Sequence, residues 1–229
     1  IKRNQRKDIV PKTLKQLKRD LSLSISPRLI EAFDISHLGG KNTVASMVVF
    51  KDSKPLKKNY RKFNIKTVKG IDDFASINEV INRRYKRVKK EGSKIPDLIL
   101  IDGGKGQLSS ALSALNKLGL GYINIIGLAK KLEEVYIPGN PEPQSIHKQS
   151  SGLVLLRRIR DEAHRFAINF HRKKRSKAMT NSIFNGVNGL GKMRIKKLLT
   201  VFENPKKISK IKATEISKRT GIPIKVCRE

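Results

Sequence analysis

The chain has 229 residues, enough for one large domain or for a medium domain followed by a small one. It carries 51 Lys+Arg against 19 Asp+Glu, a net charge of +32, which favours nucleic acid as the partner ahead of an anionic membrane. No apolar run approaches the ~18 residues of a membrane span, and the single Cys227 excludes an internal disulfide framework or a cysteine zinc site. No signal peptide is recognisable, so we expect a cytoplasmic protein. The first residue is Ile rather than Met, which indicates a piece of a longer protein.

The first part of the chain predicts three antiparallel strands after a basic lead-in. Residues 1–28 form this lead-in, with one helical stretch over 14–23. Strands are predicted over 29–36, 43–50 and 60–65, from their β-branched and alternating residues. Because the connections are short, these strands should pair as antiparallel neighbours.

The next part alternates between helices and strands. Helices are predicted over 73–90, 107–118 and 152–174, the first of them after the capping signal of Asp72 and Asp73. Strands are predicted over 97–101, 123–128 and 135–137. The order indicates an α/β fold, a mixed sheet flanked by helices, which is the element order of RNase H-like nucleases. This domain is predicted over 29–177, with a basic linker at 172–177, and a small all-α unit over 181–229.

Two aspartates stand in apolar strand patterns. Asp34 lies in the first strand and Asp102 follows the strand at 97–101. If these strands are parallel neighbours, both carboxylates reach one point above the sheet, and this suits Mg²⁺ or Mn²⁺ with water and a phosphate oxygen. The alternatives are an isolated strand-end charge for Asp34 and a turn residue for Asp102, since Asp-Gly is a common turn dipeptide.

Three further features are candidates for the same site. His164 borders the apolar stripe of the long helix, where it can act as a general base or bind metal or water; the alternative is a surface histidine. Asp73 is another acidic candidate, for which helix capping is the simpler account. Gly103, Gly104 and Lys105 lie between a strand and a helix N-terminus, which favours a DNA phosphate contact, with a tight turn as an equal alternative.

The last 49 residues carry two signals of a helix-hairpin-helix module that contacts the DNA backbone. The first copy has two glycines in its turn; the second has one and ends soon after it. For each copy the alternative is an ordinary connection between helices. The residues predicted to contact DNA here are Gly189, Gly191, Lys192, Arg194, Gly221 and Lys225.

Three segments carry a family resemblance: residues 33–37 (FDISH), 97–107 (DLILIDGGKGQ) and 159–167 (IRDEAHRFA). In this order, with tandem hairpins after them, they resemble the C-terminal half of the UvrC-type subunit of the bacterial nucleotide excision repair nuclease. The resemblance implies an RNase H-like endonuclease domain that uses a metal ion to incise DNA on the 5′ side of a bulky lesion.

The resemblance also implies residue roles and partners. The catalytic set falls on Asp34, Asp102, His164 and, less directly, Asp73, with Asp34 and Asp102 as ligands of Mg²⁺ or Mn²⁺. Within the third segment, Arg160 and Arg165 are predicted to contact DNA. The implied partners are lesion-bearing double-stranded DNA and a UvrB-type helicase subunit, whose contact segment is expected upstream of Ile1, as is the nuclease domain for the 3′ cut. We expect a monomer without membrane association.

Two other classes of function fit parts of the pattern. A non-catalytic DNA-binding module needs only the charge and the hairpins, and predicts salt-sensitive binding without metal-dependent cleavage. A ribonuclease or resolvase on the same fold would cleave RNA–DNA hybrids or four-way junctions.

Overall fold

The computed structural model describes residues 9–38, 42–68, 70–129, 134–184, 187–202, 208 and 210–228. The chain divides into two compact units, Ile1–Asn169 and Phe170–Glu229. The sequence places the corresponding boundary slightly later, between residues 177 and 181. Among the described residues, no helix combines the length and the apolar character needed to cross a membrane.

Seven strands of the first unit form one mixed sheet. They are β1 (Leu29–Leu38), β2 (Asn42–Lys51), β3 (Lys54–Pro55), β4 (Arg61–Asn64), β5 (Leu98–Asp102), β6 (Ile125–Leu128) and β7 (Val135–Tyr136). The order across the sheet is β3-β2-β1-β5-β6-β7, and β4 also pairs with β2. The predicted antiparallel pairing of β1 with β2 and the parallel pairing of β1 with β5 are both confirmed.

The first three helices lie close to their predicted ranges, and the fourth extends beyond its predicted range. The helices are α1 (Lys12–Asp20), α2 (Asp73–Glu91), α3 (Lys105–Lys117), α4 (Ser151–Ile183), α5 (Lys192–Phe202), α6 (Ala213–Thr220) and α7 (Ile224–Cys227), with a 3₁₀ turn at Lys57–Asn59. Because side chains alternate along a strand, the sheet separates two apolar layers. Phe33 and its neighbours pack with α2 and α3 on one face, and Ala32 and its neighbours pack with α1 and the start of α4 on the other.

The helix predicted in the lead-in is confirmed, whereas the linker predicted at 172–177 is not. The lead-in over 1–28 contains α1, whose Leu14 and Leu17 are completely buried in the second layer. The linker predicted at 172–177 is wrong, because α4 continues as helix to Ile183. Residues 170–183 contain neither Gly nor Pro, and Lys, Arg, Ala and Met favour helix, so a run of positive charge does not by itself end one.

The second unit has a small apolar core of its own. Leu198 of α5, Ile208, Ile216 of α6 and Ile222 form this cluster. The turns around it contain Gly189 and other residues of the predicted hairpins. A turn precedes α5 at the first predicted copy, a turn joins α6 to α7 at the second, and the hairpin assignment stays a prediction.

Candidate metal centre

The two aspartates lie side by side because β1 and β5 are parallel neighbours. Phe33 is paired with Ile101, so Asp34 and Asp102 are the next residues along the two strands. Only 3% of Asp34 is exposed to solvent. Burying a carboxylate in this way costs free energy unless a cation or a hydrogen bond compensates it.

His164 reaches the two aspartates from α4. Ile159 and Ala163 hold this helix against the sheet, since both are completely buried. His164 Nδ1 lies 3.8 Å from Asp34 Oδ1, and the side chain is 44% exposed. One ligand atom from each of Asp34, Asp102 and His164 falls within 4.8 Å of the others. The structure therefore brings together the three residues predicted from the sequence.

Two serines support this cluster, and neither was predicted from the sequence. Ser36 Oγ donates a 2.7 Å hydrogen bond to Asp34 Oδ2. Ser46, which pairs with Asp34 across β1 and β2, donates from its buried Oγ to the Ala163 carbonyl at 2.9 Å. The first contact was foreseeable, because residues two apart on a strand share a face. The second joins residues 117 positions apart and depends on the tertiary fold.

The donor set fits a divalent cation. His164 Nδ1 is a buried atom with no hydrogen-bond partner among the described residues. Asp34 forms no ion pair with a Lys or Arg in the part of the chain that the structure describes. A buried carboxylate without a basic partner, facing an unsatisfied imidazole nitrogen, is an environment that a bound cation would stabilise.

Asp73 lies outside this cluster. Its Oδ1 is 2.5 Å from His37 Nε2, and its Oδ2 accepts a 3.1 Å hydrogen bond from Gln107 Nε2. His37 is an odd-numbered position of β1, on the face opposite Asp34. The simpler account of Asp73 as a helix cap is wrong: Asp72 is the cap, and its Oδ1 accepts a hydrogen bond from the backbone of Ala75 at 2.9 Å.

The glycine loop after β5 has two parts. The amide of Gly103 donates to the Leu128 carbonyl at 3.2 Å, and the Gln107 side chain occupies the space where a Cβ of Gly103 would lie. The flexible Gln107 side chain therefore packs against Gly103. Gly104 caps α3 and has open space around it, and Lys105 is exposed in the first turn. A phosphate contact remains a prediction for these last two residues.

The two arginines predicted to contact DNA form ion pairs within α4. Arg160 Nη2 lies 3.0 Å from Asp161 Oδ1, and the Arg160 side chain is only 12% exposed. Arg165 donates two hydrogen bonds of 2.7 Å to Glu162, which also accepts from the Tyr60 hydroxyl at 3.0 Å. The Arg165 hydrogen bonds lower the pKa of Glu162, and burial raises the pKa of Tyr60.

In the second unit, the first predicted hairpin is a turn before α5. Gly189 has a φ of +79°, a left-handed conformation that favours glycine, and its carbonyl accepts a 2.5 Å hydrogen bond from Arg194 Nη1. Gly191 has open space where a Cβ would lie, and Lys192 begins α5.

The second predicted hairpin is the turn between α6 and α7. Gly221 ends α6 with a φ of +64°, again left-handed, and its amide donates to the Ser217 carbonyl at 2.7 Å. Lys225 is exposed on the short α7. The structure thus gives each predicted glycine a turn position, and leaves DNA contact a prediction.

A buried ion pair on the opposite face of β1 was also missed. Glu31 is 2% exposed, and its Oε1 lies 2.6 Å from Arg84 Nη2. The Tyr85 hydroxyl donates to Glu31 Oε2 at 3.0 Å, and burial raises the pKa of Tyr85 well above its ordinary value. The only sequence signal was a glutamate between Ile30 and Ala32 in a strand pattern.

These features define the class of the first unit: an RNase H-like fold whose central parallel strands carry two aspartates beside a histidine from a packed helix. Residues 18–168 match the model of the family described as UvrC RNase H endonuclease domain. The chain belongs to this family, as its three sequence segments predicted.

Curated relatives agree with this assignment. The chain is 51% identical over 214 residues to UvrABC system protein C of Flavobacterium psychrophilum, covering 93% of this chain and 36% of the relative. It is 50% identical over 212 residues to the protein of the same name from Cytophaga hutchinsonii, covering 92% and 36%. The chain therefore spans about a third of the length of these relatives.

Among solved structures, endonuclease V from Bacillus subtilis matches with a TM-score of 0.38 and 16% identity. The match covers 69% of this chain and 91% of that chain. A likeness at this level is too weak to inform the site.

Proposed function

We propose that this chain is the part of a nucleotide excision repair nuclease that incises the damaged DNA strand 5′ of a lesion, in a metal-dependent reaction. The observation that carries the proposal is the convergence of Asp34, Asp102 and His164. In a family of endonuclease domains, such a cluster is the natural place for phosphodiester hydrolysis.

Asp34 and Asp102 would hold Mg²⁺ or Mn²⁺, with water and a substrate phosphate oxygen as further ligands. The bound ion would supply charge stabilisation at the phosphate and a water of lowered pKa. Ser36 orients Asp34 through its hydrogen bond to Oδ2, while Oδ1 remains on the side of His164.

His164 would take a proton from the attacking water, or bind the ion or its water. Its ring is partly exposed, and its Nδ1 has no hydrogen-bond partner among the described residues, so it retains an acceptor for this task. Asp73 would take part indirectly, by fixing His37 and Gln107 beside the start of α3.

The remaining predicted residues would hold DNA. Gly104 and Lys105 offer the N-terminus of α3, and the two turns of the second unit offer backbone amides and basic side chains. We propose lesion-bearing duplex DNA and a UvrB-type helicase subunit as partners of this cytoplasmic protein, which would act as a monomer.

The first test replaces Asp34 and Asp102 separately with Asn, which keeps the side-chain size and removes the charge. Asp161→Asn is the matched control, because it removes an exposed carboxylate from α4 near the cluster. We expect both cluster variants to lose Mn²⁺ binding by calorimetry and to lose nicking of DNA, while the control keeps both. Wild-type nicking by both cluster variants would overturn the proposal.

The position of the cut needs a second assay. A duplex with one site-specific lesion, labelled at one end, is incubated with the UvrB-type subunit and with a longer chain that includes the contact segment expected upstream of Ile1. The product length then reports the position of the nick. A nick on the 5′ side supports the proposal. Cleavage of RNA–DNA hybrids or four-way junctions, with none of the damaged duplex, would contradict it.

A further inference from the structure

A groove of about 650 Å³ lies between α4 and the edge of the sheet formed by β2 and β3. Phe50 and Val154 supply apolar wall, and Val154 is 50% exposed. Lys57 and Arg158 line the same groove, and both are exposed. None of these four residues belongs to the metal centre or to the predicted DNA contacts.

The groove has a net positive charge that its own carboxylates do not cancel. Its two acidic residues, Asp161 and Glu162, already form ion pairs with Arg160 and Arg165. Lys57 and Arg158 form no ion pair with a carboxylate within the described part of the chain. The Arg158 guanidinium lies over the Phe50 ring, 5.9 Å from its centroid, which fixes one cation above an apolar surface.

The groove runs along the helix that carries His164. Val154, Arg158 and Arg165 line it from α4, and Arg165 directly follows His164 in sequence. At 1.5 Å per residue, the distance along the helix from Val154 to Arg165 is about 16 Å. One DNA strand rises about 3.4 Å per nucleotide, so the groove has the length of roughly five stacked nucleotides.

We propose that this groove holds the sugar–phosphate backbone of the DNA strand that enters the metal centre, with Lys57 and Arg158 as phosphate contacts. The inference rests on the proposed endonuclease function. Unpaired cations suit phosphates, and the exposed Val154 suits the apolar face of a deoxyribose. A strand held in the groove would run along α4, the helix that carries His164.

The test is the double variant Lys57→Ala/Arg158→Ala in the full chain. Binding to a fluorescein-labelled duplex, measured by anisotropy without metal at several salt concentrations, should weaken. Loss of two phosphate contacts should reduce the slope of log K against log salt by about 1.8.

The charge-matched control is Lys86→Ala/Lys90→Ala, which removes two exposed cations from α2, on the other side of the sheet. An unchanged slope in the groove variant, or an equal reduction in the control, would overturn the proposal.

Hydrolysis of bis(p-nitrophenyl) phosphate with Mn²⁺ separates this proposal from the proposed function. This diester is too short to occupy the groove, so the double variant should hydrolyse it at the wild-type rate. Loss of this activity would place the two residues in the centre itself and overturn the groove assignment. If the wild-type chain hydrolyses neither the diester nor DNA, the proposed function fails, while the salt slopes still decide the groove.

Discussion

Ser46 connects the strand beside Asp34 to the helix turn that carries His164. Its Oγ donates to the Ala163 carbonyl, and both residues are buried. The Ala163 carbonyl lies inside α4 and keeps its intrahelical hydrogen bond, so loss of the hydroxyl removes one further hydrogen bond, which costs about 0.5–1.5 kcal/mol. The position of His164 and the stability of the fold therefore both depend on the Ser46 hydroxyl.

We expect Ser46→Ala to lower the free energy of unfolding by about 1 kcal/mol and the nicking rate by about tenfold. The rate falls because His164 is held less firmly against Asp34. Urea unfolding and steady-state nicking measure the two effects. Ser113→Ala, at an exposed serine of α3, is the control and should change neither. A Ser46 variant with lower stability and a wild-type rate at saturating DNA would show that the contact is structural alone.

Glu31 illustrates a buried charge with a structural role. Replacement of Glu31 by Ala leaves the Arg84 guanidinium, 16% exposed, without its partner. Breaking a buried ion pair in this way costs about 3–5 kcal/mol. We therefore expect a large loss of stability in urea unfolding. Glu91→Ala breaks the exposed pair with Arg87 on the same helix and should change the stability far less. Equal losses in the two variants would contradict this reasoning.

Single residues also mark the limit of prediction from sequence. Asp34 and Asp102 were predictable because the element order allowed β1 and β5 to be parallel neighbours, and because the family resemblance implied the same pair. The ion pair of Glu31 was not predictable, because its partner Arg84 is 53 positions away and no local pattern links the two residues. The capping of α2 by Asp72 rather than Asp73 was a choice between adjacent residues that only backbone geometry decides.

At the scale of elements, α4 joins the metal centre to a surface network. His164 faces the cluster, whereas Glu162 and Arg165 face Tyr60, whose ring packs edge-on against Phe166 with centroids 5.1 Å apart. The sequence predicted this helix from its apolar stripe, which is a local property. It missed the continuation to Ile183, because a basic segment resembles a linker in composition although its residues favour helix.

The Glu162 network predicts a dependence of stability on pH. The Arg165 hydrogen bonds lower the pKa of Glu162 below its ordinary value of 4.5. The ionised form is therefore favoured in the folded state, and its contribution is fully present above the unfolded pKa and lost as the pH falls through the lowered folded pKa. We expect the stability difference between the wild type and Glu162→Gln to shrink between about pH 6 and pH 3 in urea unfolding.

The variant Arg165→Ala tests whether the Arg165 hydrogen bonds cause the lowered pKa of Glu162. It removes the hydrogen bonds that lower the pKa of Glu162, so the stability difference from the wild type should shrink over the same pH range. If either difference stays constant with pH, Glu162 is not the group that titrates.

At the scale of the molecule, the chain consists of two units with separate cores. The sheet and its flanking helices have two apolar layers, and the second unit has its own cluster around Leu198. Their division was predictable from sequence because each has its own pattern of apolar residues and turns. The groove beside α4 was not predictable from sequence, because its residues come from separate elements that only the folded sheet brings together.

The separate cores predict that the two units can be tested by deletion. Removal of 185–229 takes away 12 Lys+Arg and 3 Glu, while both layers of the first unit remain complete. We expect the shortened chain to keep the melting temperature of the sheet unit and the hydrolysis of bis(p-nitrophenyl) phosphate. Its affinity for duplex DNA and its salt slope should both fall, because phosphate contacts of the second unit are lost.

The control is a full-length chain with Lys196, Lys197 and Lys225 changed to Gln. It retains the fold of the second unit and should show a smaller reduction of the same slope. If deletion leaves the slope unchanged, the first unit alone carries the phosphate contacts, and the helix-hairpin-helix interpretation of the second unit is wrong.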